Sequence, residues 1–578
     1  MTTLQQFSLE ATRKYLQTVV FVDDKIFDDT SGMAVQVVDD LPKGRKRIYE
    51  PEKTTGEIAI QVDSEEVNIQ DSEDSYRPKD LVTSFAREGI ICALYEPPEE
   101  FQVDPTSDIF KLCERPDIII LDWDLSGDAG QKTLDLILAL VKQSQQEFPY
   151  HIRLLVIYTI DPSLVGVANQ IGDRLTKNGL KAEPDRSPFR IQSEATRIIV
   201  FGKDKRRIAE EVEFTVKERD LAVRLIEEFA EMNSGILPAY ALHGMAAIRR
   251  NSKRILERFH GDLNGAFLLH RALSKESEEA FDQLPELLAD ELQAVLDDAH
   301  LTPDVIADVA NDAISNLKLS PPSTDWRYTP GGRRFPATHY LSEAVVREML
   351  SRGQLDRTIF PAVEEVIDIT KPGFSGIGPD LMQALLIMVD SKKSQANQRL
   401  ASLFAVRTQY DQGTRRLYHG SIIRRRNAEV GRWIYSFCVM PVCDSIRLDR
   451  SMQFKKGQLV RFPFWNLNEN VLLVNQASRR GITLLPPGTN EYLLVSAGGK
   501  SRDMLWLAGF QIDEARGQVV SEKSADGRFL FASDQDVEIE WVAELKPLHA
   551  QRIAHDIGQN LSRVGLIEAE WLRLLCER

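Results

Sequence analysis

The stretch that most constrains the fold is Asp117-Ile118-Ile119-Ile120-Leu121-Asp122, an apolar run closed by a carboxylate and followed by the loop Trp123-Asp124-Leu125-Ser126-Gly127-Asp128-Ala129-Gly130. A short continuous apolar run bounded by turn residues reads as a strand buried on both faces, as in parallel sheets covered by helices. Ligands of open α/β sheets collect outside the carboxyl ends of the strands, so a carboxylate at that point predicts companions at the ends of other apolar runs. Three further runs meet that expectation. Val19-Val20-Phe21-Val22 leads into Asp23-Asp24, Leu154-Leu155-Val156-Ile157-Tyr158 into Thr159, and Arg197-Ile198-Ile199-Val200-Phe201 through Gly202 into Lys203.

The residue types have a chemical reason. Three carboxylates in one crevice repel one another unless a hard cation sits among them, and Mg2+ takes oxygen ligands while keeping waters and a phosphate oxygen as the others. Asp23, Asp24 and Asp122 therefore imply Mg2+. An incoming phosphoryl group needs in-line positioning and neutralisation of its equatorial oxygens, which a metal, a lysine and a hydroxyl supply with little covalent help. Thr159 and Lys203 fit those two places.

On these residues the first third of the chain, about 1–205, resembles the receiver domain of two-component response regulators. That family has a flavodoxin-like, doubly wound parallel sheet with helices on both faces. The glycine eight residues after its phospho-acceptor is matched by Gly130, and its third metal contact, the backbone carbonyl two residues after the acceptor, falls on Asp124. The resemblance implies that Asp122 is phosphorylated, that Asp23, Asp24, Asp122 and the Asp124 carbonyl hold Mg2+, that Thr159 follows the phosphoryl oxygen, and that Lys203 pairs with it. Three positions depart from the pattern. Ile160 stands where the family has a small residue, Asp204 where it has proline, and Val200 at its aromatic switch position, with Phe201 one place off.

Between Asp24 and the helix expected over Pro78–Glu88 lies an insertion, about 27–77, rich in Asp, Glu, Ser and Thr. A loop of this length is functional or disordered. Its composition favours a mobile acidic loop, and the runs Val35–Val38 and Glu57–Val62 offer a hairpin lid as the alternative. Ile90–Tyr95 supplies the second strand.

With 578 residues, 43% of them hydrophobic, the chain exceeds one core and three or four domains are expected. A receiver-like domain is expected at 1–205, a helical domain at 206–322, a second helical segment with glycine-rich loops at 323–412, and a β-rich domain ending in a helix at 413–578. Leu221, Leu225 and Phe229 recur at i+4, as do Leu284, Leu288 and Leu292, followed by Val295, and Thr302-Pro303-Asp304 reads as a helix start. Ser320–Thr324 reads as a linker. The loops Tyr328–Arg334 and Gly373–Gly378 lack the lysine and spacing of a P-loop, and a helical unit is expected over Asp380–Tyr410. From Leu417 the period becomes two, with Tyr435, Phe437 and Val439 and then Val537, Ile539 and Trp541 alternating, before an amphipathic helix over about Leu548–Leu575.

Five scattered cysteines point to a reducing interior, and Cys438 and Cys443 have no second pair with which to build a zinc site. No apolar run reaches the ~18 to 20 residues of a membrane span, and Met1-Thr2-Thr3-Leu4 lacks a signal peptide's charged start. A cytoplasmic protein with no membrane partner is expected. The formal charge of −16 disfavours nonspecific nucleic-acid binding. Arg415-Arg416, Arg424-Arg425-Arg426 and Lys455-Lys456 beside Tyr418, Trp433 and Tyr435 read as a charged rim in preference to a base-stacking array. His555 reads as a surface helix histidine.

No helix-turn-helix, nucleophile elbow or zinc-protease helix is present in the sequence. The leading expectation is a response-regulator-like signalling protein that accepts a phosphoryl group on Asp122 from a partner histidine kinase and relays or buffers the signal to a downstream effector protein, with homo-oligomerisation open. A receiver joined to a long region without a recognisable effector is similar in layout to receiver subunits of two-component-like bacterial anti-phage systems of the Detocs type. The rivals are a phosphorylation-independent scaffold with a degenerate receiver, and an effector enzyme whose C-terminal site lies near Cys443-Asp444 and Arg447.

Overall fold

The computed structural model describes residues 2–26, 78–98, 101–146, 152–193, 196–203, 208–273, 279–299, 306–319, 343–351, 395–410, 413–427, 431–441, 459–469, 481–497, 504–513, 517–535 and 537–561, with Val389, Asp444 and Leu448. The insertion 27–77, with the runs weighed as a mobile loop or a hairpin lid, Asp204 and its basic run, Thr302–Asp304, the linker 320–324, both glycine-rich loops, Cys443, Arg447, Lys455-Lys456 and the chain beyond 561 lie outside the described residues. The chain divides into two compact units, Met1–Ser315 and Asn316–Arg578.

In the first unit the elements run α1 (Thr3–Tyr15), β1 (Thr18–Val22), α2 (Pro78–Arg87), β2 (Ile91–Tyr95), α3 (Asp108–Glu114), β3 (Ile118–Leu121), α4 (Gln131–Gln146), β4 (Arg153–Thr159), α5 (Leu164–Lys177), β5 (Glu183–Pro184), β6 (Arg190–Ser193) and β7 (Thr196–Gly202). They form one seven-stranded sheet in the order β2-β1-β3-β4-β7-β6-β5. The first five strands are parallel, and β6 and β5 add an antiparallel hairpin at the β7 edge. Burial explains the sequence pattern. Every residue of β3, β4 and β7 is buried, so these runs are apolar without alternation. The register aligns Val22 with Leu121, Leu121 with Ile157, and Thr159 with Gly202, which brings the four strand ends to one edge of the sheet.

Two elements were not anticipated. Helix α1 opens with a capping box, in which Gln5 N donates to Thr2 Oγ1 at 3.3 Å and Thr2 N to Gln5 Oε1 at 2.9 Å. The β5–β6 hairpin is short and polar. It is anchored by Arg190, whose Nε donates to Glu228 Oε2 at 2.9 Å and whose Nη2 donates to Glu228 Oε1 at 2.6 Å.

Glu228 belongs to α6 (Glu218–Met232), which with α7 (Ile236–Arg250) packs on α1, while α2 packs on α6. Leu221, Leu225 and Phe229 are fully buried there, and the sheet's apolar core runs without a break through Phe229, Ala239 and Leu242 to Val309. Helices α8 (Ser252–Arg258), α9 (Asn264–Leu273), α10 (Glu279–Asp282), α11 (Leu284–Asp298) and α12 (Ile306–Asn316) follow. The i+4 run beginning at Leu284 does form α11, but only its Val295 is buried.

The described helices of the second unit include α13 (Glu343–Ser351) and Ala396–Ala405. Its strands are β8 (Ser421–Arg426), β9 (Trp433–Cys438), β10 (Val460–Asn466), β11 (Gly481–Leu484), β12 (Leu493–Ser496), β13 (Leu505–Phe510), β14 (Glu522–Lys523), β15 (Phe529–Phe531) and β16 (Ile539–Glu544). They build an antiparallel sheet β13-β10-β9-β8-β16-β15-β14 and a separate β11-β12 pair. Period-two alternation gives the large sheet two apolar faces. Ile422, Tyr435 and Phe437 pack with Ala550, Ile553 and Ile557 of the helix Pro547–Leu561, and Ile423, Cys438, Phe464 and Ile539 pack on the other side.

The charged-rim reading is corrected for two of its arginines. Arg424 is buried opposite Glu540 and forms a two-pronged ion pair with it, Nε to Oε2 at 2.8 Å and Nη2 to Oε1 at 3.0 Å. Arg415 is buried against the Phe529 ring, 4.4 Å from its centroid. The Arg424 guanidinium joins β8 to β16, while that of Arg415 stacks on a ring of β15. His555 is exposed on its helix, 2.7 Å from Gln559. Among the described residues no helix is long and apolar enough to cross a membrane.

Candidate functional site

The chain reverses its direction of winding between β1 and β3, and the crevice there lies at the carboxyl ends of both strands. Asp23 and Asp122 leave those ends side by side. Their backbones are fixed by the sheet edge, with Asp122 N donating to Val22 O at 2.9 Å and Asp23 N to Tyr95 O at 3.3 Å. Lys203, one residue past β7, reaches across β4 and bridges the two carboxylates, Nζ to Asp122 Oδ1 at 2.8 Å and to Asp23 Oδ2 at 2.9 Å. It does so with Asp204 as the next residue where the resembled family has proline.

The loop after β3 secures the remaining acid. Asp124 N donates to Asp122 Oδ2 at 2.9 Å, Ser126 N to Asp24 Oδ2 at 2.9 Å, and Thr133 Oγ1 to the Asp122 carbonyl at 3.0 Å. Turning the chain this tightly puts Ser126, Gly127, Ala129 and Gly130 at positive φ. At Gly130, with φ +90, an added Cβ would also overlap the Trp123 indole ring, so this glycine answers both a backbone and a space requirement. Lys132 Nζ closes the loop by donating to Ser126 Oγ at 3.1 Å. The Asp124 carbonyl accepts from Gly127 N at 3.5 Å.

Electrostatically the crevice holds more negative than positive charge. Burial pushes the Asp122 carboxyl above the usual carboxylate range and the neighbouring Asp23 adds to the rise, against the pull of Lys203. Burial alone would weaken the Lys203 ammonium, but Asp122 and Asp23 outweigh it and hold its pKa above the ordinary lysine value. The oxygen-only set Asp23, Asp24, Asp122 and the Asp124 carbonyl, with one ammonium against three carboxylates, has the chemistry of a hard-cation site. Among the described residues these acids are not gathered as a ready cage, because Lys203 and backbone N–H groups hold their oxygens.

Thr159, at the end of β4, is buried and its Oγ1 accepts from Asp161 N at 3.0 Å. The Ile160 side chain, 53% exposed, stands out in solvent. Val200 and Phe201 are fully buried, and Phe201 lies against Phe214 with ring centroids 6.1 Å apart. No aromatic side chain therefore occupies position 200, and the adjacent ring is packed into the core.

Two contacts that the sequence does not signal tie the site to the segment after β7. Tyr158 lies under the Lys203 ammonium, 5.6 Å from ring centroid to Nζ, and donates its hydroxyl to Val216 O at 2.7 Å. Buried Glu211 accepts from Leu164 N, the first residue of α5, at 2.9 Å. Neither leaves a local sequence signal, because both partners are distant in the chain.

Residues 15–207 match the family model for a response receiver domain. No curated protein and no solved structure matches the chain.

Proposed function

We propose that this protein is a response-regulator-like signalling protein whose Asp122 carboxylate takes a phosphoryl group from the phosphohistidine of a partner kinase. The observation that carries the reading is the Lys203 bridge between Asp122 and Asp23 at the carboxyl edge of a receiver-type sheet. In the transfer an Asp122 oxygen forms a new O–P bond while the P–N bond to the donor imidazole breaks, and the imidazole leaves with the electron pair. Lys203 would neutralise the phosphoryl oxygens, and its contact with two carboxylates, which raises its pKa, supports its being charged at neutral pH. Mg2+, held by Asp23, Asp24, Asp122 and the Asp124 carbonyl, would supply further positive charge to those oxygens.

Thr159 is the hydroxyl available on the neighbouring strand. A shift of its Oγ1 toward the phosphoryl group would release Asp161 N and loosen the turn into α5, whose first N–H is held by Glu211. Output is thus read as passing through the segment 208–217 to protein partners, in place of an aromatic at Val200. The layout similarity to anti-phage receiver subunits supports a setting in phage defence, checked by phage plating on cells carrying the wild type or Asp122→Asn.

The reading is tested by incubating the full chain with acetyl phosphate and Mg2+ and measuring intact mass. A Mg2+-dependent phosphate adduct, absent in Asp122→Asn and strongly reduced in Lys203→Ala, is expected. No adduct with acetyl phosphate or a kinase, and no effect of beryllofluoride, would overturn it in favour of a phosphorylation-independent scaffold.

A further inference from the structure

Helices α8 to α11 carry an apolar surface that the described residues leave in solvent. Helix α9, Asn264-Gly265-Ala266-Phe267-Leu268-Leu269-His270-Arg271-Ala272-Leu273, buries none of its side chains. Leu256, Leu263, Leu268, Leu269 and Leu273 are 53–78% exposed, and Phe281 and Leu287 are 51% and 53% exposed. The helices themselves are well fixed. Phe267 meets Phe281 edge-on at 5.1 Å, His270 Nε2 lies 3.3 Å from Gln283 Oε1, Ile255 and Val295 are buried, and α11 packs on α7.

Exposed apolar surface on this scale marks an interaction site. Seven such side chains, on the order of 100 Å² each, approach the ~800 Å² that each partner contributes to a standard interface.

Charge around the face identifies the partner. Residues 249–273 carry six Arg and Lys against two acids, whereas residues 279–298 carry seven acids and no Lys or Arg. Within one copy the two segments share an ion pair, Arg254 Nη2 to Asp298 Oδ2 at 3.4 Å. A two-fold interface applies the same patch to both partners, so it is satisfied only by a patch that carries both signs in separate places. A uniformly acidic or basic partner would match one segment and be repelled by the other. We propose that this face binds the same face of a second copy of the chain, leucines at the centre, with the basic segment of each copy over the acidic segment of the other. The proposal does not depend on chemistry at Asp122.

Sedimentation velocity of the full chain over a concentration series tests it. A dimer is expected for the wild type, with at least about tenfold weaker association in Leu269→Glu/Leu273→Glu. Charge reversal keeps the test valid if the leucine variant folds poorly, because Arg258, Arg271, Glu286 and Asp290 are exposed. Arg258→Glu/Arg271→Glu and Glu286→Lys/Asp290→Lys should each be monomeric alone and should form a heterodimer when mixed. A monomer at tens of micromolar, or a dimer indifferent to both sets of substitutions, would overturn the proposal.

Discussion

At Asp122 one ammonium serves two buried carboxylates, and the excess negative charge is held against its own repulsion. A carboxyl with a raised folded-state pKa favours folding below the unfolded carboxyl's range, and that benefit is lost as pH rises through the raised value. At neutral pH the wild type therefore carries a penalty that Asp122→Asn removes. Thermal melting of the variant without Mg2+ should lie a few degrees above wild type at pH 7, and the difference should shrink toward pH 4. A lower melting temperature at pH 7 would mean that the Lys203 contact outweighs the repulsion. Gly130→Ala should cost roughly 2–4 kcal/mol in denaturant unfolding, since it combines positive φ with an indole overlap. The strand-end positions of Asp23, Asp122, Thr159 and Lys203 were legible because each follows an apolar run. Thr133, Tyr158 and Glu211 were not, because their roles lie in contacts to backbone atoms 11, 58 and 47 residues away.

At the scale of elements, continuous apolar runs gave β1, β3, β4 and β7, because burial on both faces confines the polar residues of these strands, such as Arg153, Thr159, Thr196 and Arg197, to the strand ends. The β5–β6 hairpin was missed for the opposite reason. Its strands are two and four residues long, and its anchor, Arg190, is held by a carboxylate on α6. In the second unit alternation identified strand faces but hid the Arg424–Glu540 pair, which sits at inward positions that the pattern reserves for apolar residues. Arg424→Met should cost about 3–5 kcal/mol by stranding a buried carboxylate, while Arg424→Met/Glu540→Leu should recover most of that loss. Urea unfolding followed by tryptophan fluorescence distinguishes the two. A double variant no more stable than the single one would contradict a desolvation account.

For the whole molecule, the succession of sheet-and-helix, helix and β-rich regions was visible in the change of hydrophobic period along the chain. The strand order of the β-rich unit was not, since it joins Ser421 to Glu544 and depends on pairings far apart in sequence. The outer helices show a related limit: the i+4 period over Leu284–Leu292 gave the helix α11, but periodicity does not say what covers its face, and only Val295 is buried there. Everything proposed for signalling converges on one bond, between phosphorus and a carboxylate oxygen of Asp122. The most direct measurement is borohydride reduction of the full chain after incubation with acetyl phosphate and Mg2+, followed by peptide sequencing. An acyl phosphate is reduced to the alcohol, so homoserine at position 122 is the expected result. Unmodified aspartate at 122, or the reduced alcohol at another aspartate or glutamate, would contradict the account.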